Sequence, residues 1–310
     1  MKMKLRVWIC VLFLVGITQT NVLACDICGC SLGGNYFGIL PQFNKNFVGI
    51  RFSQANFYAH MDHNSEFLSD EYSNDRYRTL ELYGRFYLAK KWQLMAFLPY
   101  GMNTMRGSHQ NYQTEGLGDA SAIIHYTVYE TDPMKDVDWQ HAWKIGGGVK
   151  LPTGTFNEKD RGILVNPNFQ LGTGSTDFQL SNMYTIRYKK WGVNTEVGYK
   201  INTRNADQYL FGNQFHAGAQ LFYWYTYKSI AVLPHVGSYI EHGTKHLKGM
   251  VIQQNTGGQA WMGTAGVELY VKSFSVGVNF KNPLKQQFNS ESHATIESKD
   301  RWSASITYSF

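Results

Sequence analysis

Three cysteines within six residues, Cys25-Asp26-Ile27-Cys28-Gly29-Cys30, are the residues of this chain best spaced to do chemistry. Converging thiolates suit a soft ion such as Cu(I) or Zn(II). The residues before them, Val22-Leu23-Ala24, also read as a lipoprotein box, in which Cys25 becomes an acylated N-terminus. A third reading is a disulfide with one thiol left over, as an oxidising compartment permits. A second group, His60, Met61 and His63, offers adjacent soft and borderline ligands for copper or zinc. No Ser-His-Asp, paired-carboxylate or His-Glu-x-x-His spacing stands out, so the chain is read as not an enzyme.

The cysteines follow a secretory signal. Lys2, Lys4 and Arg6 precede the short apolar run Val7–Ile17, and small and polar residues lead on to Ala24. Residues 1–24 are therefore expected to be a signal peptide. Residues 25–45 would form a periplasmic, cysteine-bearing segment, and 46–310 a single outer-membrane β-barrel. No later stretch approaches the roughly 18 consecutive apolar residues of a spanning helix. Without residues 1–24 the chain carries 26 Lys and Arg against 23 Asp and Glu, a charge of +3 that implies no nucleic-acid partner. Aromatics at 15%, with 30 Gly and only 7 Pro, favour strands over helices.

Period-two alternation carries the fold. In the last ten residues Trp302, Ala304, Ile306, Tyr308 and Phe310 share one face, and Arg301, Ser303, Ser305, Thr307 and Ser309 the other. An apolar outer face, a polar inner face and a terminal aromatic are the ending of a bacterial outer-membrane barrel strand. Twelve such strands of roughly 9–14 residues are expected at 46–58, 77–89, 91–105, 117–130, 143–153, 175–189, 191–202, 213–227, 230–241, 259–271, 274–284 and 301–310. The fold class is all-β, a transmembrane antiparallel barrel of about 12 strands.

Connections alternate in length. Lys90-Lys91, Lys189-Lys190, Lys228-Ser229 and Lys272-Ser273 are bare turns, and 131–142 is somewhat longer. Long polar loops are expected at 59–76, 106–116, 154–174, 203–212, 242–258 and 285–300. Short periplasmic turns with long external loops are the outer-membrane arrangement. Trp92, Trp143 and Trp191 each follow a short turn in the outward register, as an interfacial aromatic girdle requires. The loop of His60 and His63 then lies across the membrane from the cysteines, so the two groups cannot form one site.

The inward register collects Arg51, Glu81, Arg85, Asp119, His125, Lys144, Lys150, Asp177, Arg187, Glu196, Lys200, Glu268, Lys281 and Arg301. Such a lining makes either a water-filled path or a network of charge pairs bracing a narrow barrel. The mixed signs argue against a strongly ion-selective pore, whose rings would share one sign.

Three glycine-rich motifs, GLGDASAIIHY (Gly116–Tyr126), GGGVKLPTG (Gly146–Gly154) and GTGSTDFQLS (Gly172–Ser181), follow one another in order. In their residues and spacing they resemble the outer-membrane channel family named for phenol meta-pathway degradation clusters, related in architecture to fatty-acid channels. The resemblance spans roughly residues 46–310. It implies a transporter-like barrel, with small hydrophobic molecules among its candidate solutes. The cysteine cluster departs from that family's plain pattern. Read without the resemblance, the same motifs are structural: glycines that let strands bend, and a strand end at Leu151–Gly154.

Two functions follow from these residues. One is passive passage of a small solute through an outer-membrane barrel, with membrane lipid and the barrel-assembly machinery as partners and a periplasmic N-terminus in a Gram-negative cell. The alternative is a metal-handling or sensory protein that works through Cys25–Cys30, with the barrel as anchor.

Overall fold

The computed structural model describes residues 45–62, 70–108, 111–132, 137–160, 163–288 and 293–310. The segment assigned to the signal, the cysteine cluster and His63 lie outside these residues.

Nineteen strands are described, most of them antiparallel neighbours in sequence. The first six are β1 (Phe47–Met61), β2 (Glu71–Ala89), β3 (Trp92–Gly107), β4 (Asn111–Leu117), β5 (Ser121–Glu130) and β6 (Trp139–Lys150). Two short strands, β7 (Lys159–Asp160) and β8 (Ile163–Leu164), precede β9 (Asp177–Tyr188) and β10 (Trp191–Ile201). Next come β11 (Tyr209–Leu210), β12 (Gln214–Tyr223), β13 (Tyr225–Tyr227) and β14 (Ile230–Gly243). The chain ends with β15 (Leu247–Lys248), β16 (Val251–Ile252), β17 (Gly258–Val271), β18 (Phe274–Phe288) and β19 (Ala294–Ser309).

The principal sheet closes on itself. Its order is β12-β10-β9-β6-β5-β3-β2-β1-β19-β18-β17-β14, and β14 returns to pair with β12. β4 continues the stave of β5 after a break at 118–120, and β13 continues β12 past Trp224. The result is a closed antiparallel barrel of twelve staves. The seam between chain ends runs from Phe47↔Ser309 to Met61↔Ala294, with one register shift near Asn56. Phe310 extends it, its amide donating to the Asn46 carbonyl at 3.0 Å.

Closure fixes which side chains meet lipid. Leu80 and Leu82 on β2, Val276, Val278 and Phe280 on β18, and Trp302, Ile306 and Tyr308 on β19 are all exposed. Their alternates point inward, where Tyr83, Arg85, His125 and Asn279 are buried. Rings gather at the short-turn end. Trp92 lies 4.9 Å from Tyr126, Trp139 4.8 Å from Tyr188, and Trp191 4.8 Å from Tyr223, centroid to centroid. Trp139, rather than Trp143, opens β6, so the fifth strand begins earlier than its sequence spacing suggests. Lys189, Lys228 and Lys272 occupy left-handed turn positions with φ of 50°, 53° and 53°. A side chain there is strained by contact with its own backbone, which two-residue hairpin turns require all the same.

Two expected loops are in fact strand. β3 and β4 carry the ladder outward through Arg106↔Asn111, and β18 and β19 continue through most of 285–300. β2, at 19 residues, is far longer than the roughly 9–11 residues that span a membrane. The staves on this side therefore project past the membrane as a β-walled rim.

Inside, two apolar clusters fill separate levels. Phe47, Tyr83, Met95, Phe97 and Ile123 pack together toward the short-turn end. Phe57, Tyr239, Met262, Phe288 and Ile296 pack together toward the rim. Removing Phe310 takes one backbone bond and one ring from the seam. Its deletion should lower the fraction of heat-modifiable, folded barrel recovered from membranes, and an unchanged yield would show that the seam does not need it.

Candidate functional site

Between those clusters lies a cavity of about 440 Å³ enclosed by staves from all around the barrel. Five cations reach its wall, Arg51, Lys150, Lys200, Lys281 and Arg301, together with the carboxylates of Glu81 and Asp119. A charge in such a space loses much of its hydration unless it finds a partner. Most have. Arg51 of β1 and Glu81 of β2, opposite one another in the ladder, form an ion pair. Arg301 of β19 grips Glu241 of β14 with two parallel bonds of 3.1 and 2.7 Å, crossing two intervening staves. Its guanidinium also stands 5.1 Å from the ring of Phe57. Such fork-to-carboxylate pairs are geometrically demanding, and here one braces the barrel across its interior.

The remaining inward charges are held as follows. Arg85 donates to the Lys45 carbonyl at 3.0 and 3.2 Å and lies over the Phe47 ring. Lys144 donates to Tyr87 Oη at 3.2 Å and Gln93 Oε1 at 3.1 Å. His125, fully buried, shares a 3.0 Å bond with Ser181 Oγ. Arg187 reaches Gln140 and the Lys189 carbonyl at the short-turn end. Glu196 is buried, and Glu268 packs over Gly277, where a Cβ would meet its carboxylate. Lys281 sits 3.6 Å above the centre of the Tyr239 ring.

The three glycine-rich motifs converge on one cluster. Lys150 Nζ meets Asp119 at 2.5 Å and Asp177 at 2.9 Å, and also donates to Thr173 Oγ1 and to the Ser175 carbonyl at 3.1 Å. Asp119 accepts further bonds from the Gly154 and Thr173 amides at 3.0 and 2.8 Å. Asp177 accepts from Ser175 Oγ and the Thr203 amide, each at 2.9 Å. The glycines let the loop ends touch: a Cβ on Gly172 would lie 2.5 Å from the Gly154 carbonyl oxygen. One Lys and two Asp thus pin both ends of segment 151–176 to the wall. Pinned in this way, the segment turns inward. Pro167, Gln170, Leu171 and Gly172 line the cavity, and Phe169 is fully buried 5.0 Å from the Tyr77 ring. Sequence alone had not joined these motifs, because their partners are 23 to 54 residues apart.

No family model and no curated protein matches the sequence. Among solved structures, an outer-membrane channel from Pseudomonas putida F1 is similar at TM-score 0.64 and 13% identity, over 90% of this chain and 99% of that one. The β domain of the Bordetella autotransporter BrkA is similar at TM-score 0.50 and 11% identity, over 86% of this chain and 100% of that one. The fold is that of an outer-membrane barrel.

In this outer-membrane barrel the expected copper or zinc site does not stand. Among the described residues no group of three or more His, Cys, Asp or Glu side chains is placed to hold a metal ion. Strand geometry explains the histidine end. His60 and Met61 are consecutive on β1, so the pleat sends them to opposite faces. Met61 packs on the rim cluster, whereas His60 meets Asp70 at 3.6 Å. His63 and the cysteines Cys25, Cys28 and Cys30 lie outside the described residues.

Several residues that shape the interior were not among those expected. Glu241, His235 and Tyr239 point inward on β14 and are buried. Pro234 and His235 had obscured the alternation there, but exposed Val236 and Ile240 give the register away. Beyond the barrel wall, β11, β15 and β16 form a small separate sheet. Its His246 is buried, pairs with Tyr209 Oη through Nδ1 at 2.9 Å and receives no carboxylate. Burial, and secondarily the charge of Lys200, push its pKa down to about 4.

Two outcomes follow. Lys150→Met leaves Asp119 and Asp177 buried without their cation, at a cost of about 3–5 kcal/mol. Thermal unfolding should fall markedly, and protease should cut 151–176 where the native protein resists; equal resistance would show that the cluster does not hold the segment. His246 is neutral in the folded sheet, so its contribution to stability is complete above pH 6.5, the ordinary value. That contribution is lost progressively as pH falls toward 4. Hydrogen-exchange protection over 244–257, corrected for the intrinsic slowing of exchange at lower pH, should fall between pH 6.5 and 4.5, and His246→Gln should remove the dependence.

Proposed function

We propose that this protein is an outer-membrane channel through which a small solute passes passively. The observation that carries the reading is the cavity at mid-barrel, walled by apolar side chains and by charges most of which are paired, and lined in part by the inward-pinned segment 151–176. A barrel serving only as an anchor has no need to keep such charges out of water around an empty space, since apolar filling is generally at least as stable. Mixed signs on the wall suit weak, reversible interaction with a passing molecule. Of the fourteen inward residues named from sequence, Arg51, Glu81, Asp119, Lys150, Lys200, Lys281 and Arg301 line that cavity. Apolar surface from Phe57, Phe97 and Tyr239 beside the charges fits a solute with a hydrophobic body. The metal-handling alternative is not retained.

The orientation belongs to the same proposal. Residues 1–24 act as the export signal, residues 25–45 lie in the periplasm, and 46–310 form the barrel, assembled by the barrel-assembly machinery into the outer membrane of a Gram-negative cell. The short-turn end, where Lys45 and Phe310 lie, faces the periplasm, and the β-walled rim faces outward. Ala206→Cys, at an exposed position of the same loop, should react with an impermeant thiol reagent on intact cells, and Lys190→Cys should be spared, in a background lacking the native thiols. Labelling of position 190 alone would invert the orientation.

Passage itself is tested in planar bilayers. The purified barrel should give discrete conductance steps, and Glu81→Gln, which removes one negative charge from the wall, should shift its selectivity toward anions. Absence of both conductance and solute flux into liposomes would return the barrel to an anchor.

A further inference from the structure

The cavity wall treats its cations unequally. Arg51, Lys150 and Arg301 are each committed to carboxylates. Lys281 lies against the face of Tyr239. Lys200, the last residue but one of β10 and on its inner face, lines the same cavity but makes no direct hydrogen bond or ion pair among the described residues. Asp119 and Asp177 act on it electrostatically, but their direct bonds go to Lys150, to Ser and Thr hydroxyls and to backbone amides. Gln214 stands opposite Lys200 in the ladder, and His216, two residues on, is close enough to feel the charges of both Lys200 and Lys281. An ammonium that lines such a space with no carboxylate in direct contact is stabilised further by an anion that enters and bonds it. The aromatic side chains Phe57, Tyr77, Phe97, Phe211 and Tyr239 face the same space and offer an apolar bed.

We propose that the cavity binds a small organic anion, with its carboxylate on the Lys200 ammonium and its apolar body against the aromatic wall. This rests on the passage reading and names the solute class: an amphipathic monocarboxylate rather than a neutral hydrocarbon or a cation. A mid-path site of this kind gives weak, reversible capture, as conduction demands of any binding step. His216 and Gln214 complete the polar end, and Lys281 lies on the same side as a second cation.

Benzoate is a suitable probe, with benzyl alcohol as the neutral compound of the same ring and acetate as the same head without a body. Isothermal titration or ligand-observed NMR on the full folded barrel should show saturable benzoate binding, with benzyl alcohol and acetate each weaker by about tenfold or more. Lys200→Met should weaken benzoate by at least about tenfold and Lys200→Arg should restore it, while Lys281→Met should have the smaller effect. The folded state of each variant is read by heat-modifiable mobility. If Lys200→Met does not fold, the comparison of benzoate with benzyl alcohol on the native protein still decides. No saturable benzoate binding, equal affinity for benzyl alcohol, or equal affinity in the native protein and folded Lys200→Met would overturn the site. Conductance in potassium chloride separates the two proposals. Steps without benzoate binding would sink the anion site and leave passage standing, and benzoate binding without steps would do the reverse.

Discussion

Backbone hydrogen bonding across the seam between the first and last long strands is the constraint on which everything else in this molecule depends. In a hydrocarbon layer an unpaired amide or carbonyl costs several kcal/mol, so a sheet in lipid must have no edge. The pairing of β1 with β19, and of β12 with β14, removes every edge of the twelve-stave sheet. Once the sheet is closed, the pleat leaves no freedom: each residue faces either lipid or the interior. The apolar outer face and the charged inner face are then consequences of one closure.

The interior has its own requirement, because charges enclosed by the wall must be answered. Neighbouring staves answer some of them directly, as Arg51 and Glu81 do. Others are answered across the barrel, as Arg301 and Glu241 are. The Lys150 cluster extends the same logic to a connection. By binding Asp119 and Asp177 it holds both ends of the long connection 151–176 to the wall, and residues of that connection line the cavity. The chemistry of the cavity therefore depends on how its charges are paired as much as on which charges are present.

Much of this was legible in the sequence, and the reason is local. A period of two is written into consecutive residues, so the outward sets on β2, β5, β18 and β19 could be read without knowing any contact. The short lysine turns were legible for the same reason. Strand ends were not: beyond the membrane the outer face turns polar, and β3, β4, β18 and β19 there look like loop although the ladder continues. Glu241 was hidden by Pro234-His235, and the convergence of Asp119, Lys150 and Asp177 by sequence separation. His60 and Met61 show the opposite error. Adjacency in sequence suggested a shared ligand set, whereas adjacency on a strand means opposite faces.

Closure is tested most directly by cross-linking the seam. Phe52 faces Ala304 and Ser53 faces Ser303 in the β1–β19 register. Adjacent pairs of an antiparallel ladder alternate between hydrogen-bonded and non-hydrogen-bonded sites, which differ in Cα separation. One of these two pairs therefore offers the closer approach that a disulfide prefers. With the native thiols removed, Phe52→Cys with Ala304→Cys, or Ser53→Cys with Ser303→Cys, should form an intramolecular disulfide in the folded barrel in membranes. The control Ser53→Cys with Ser309→Cys, six residues out of register, should not. A closed barrel is contradicted if neither in-register pair links, or if the control links as readily.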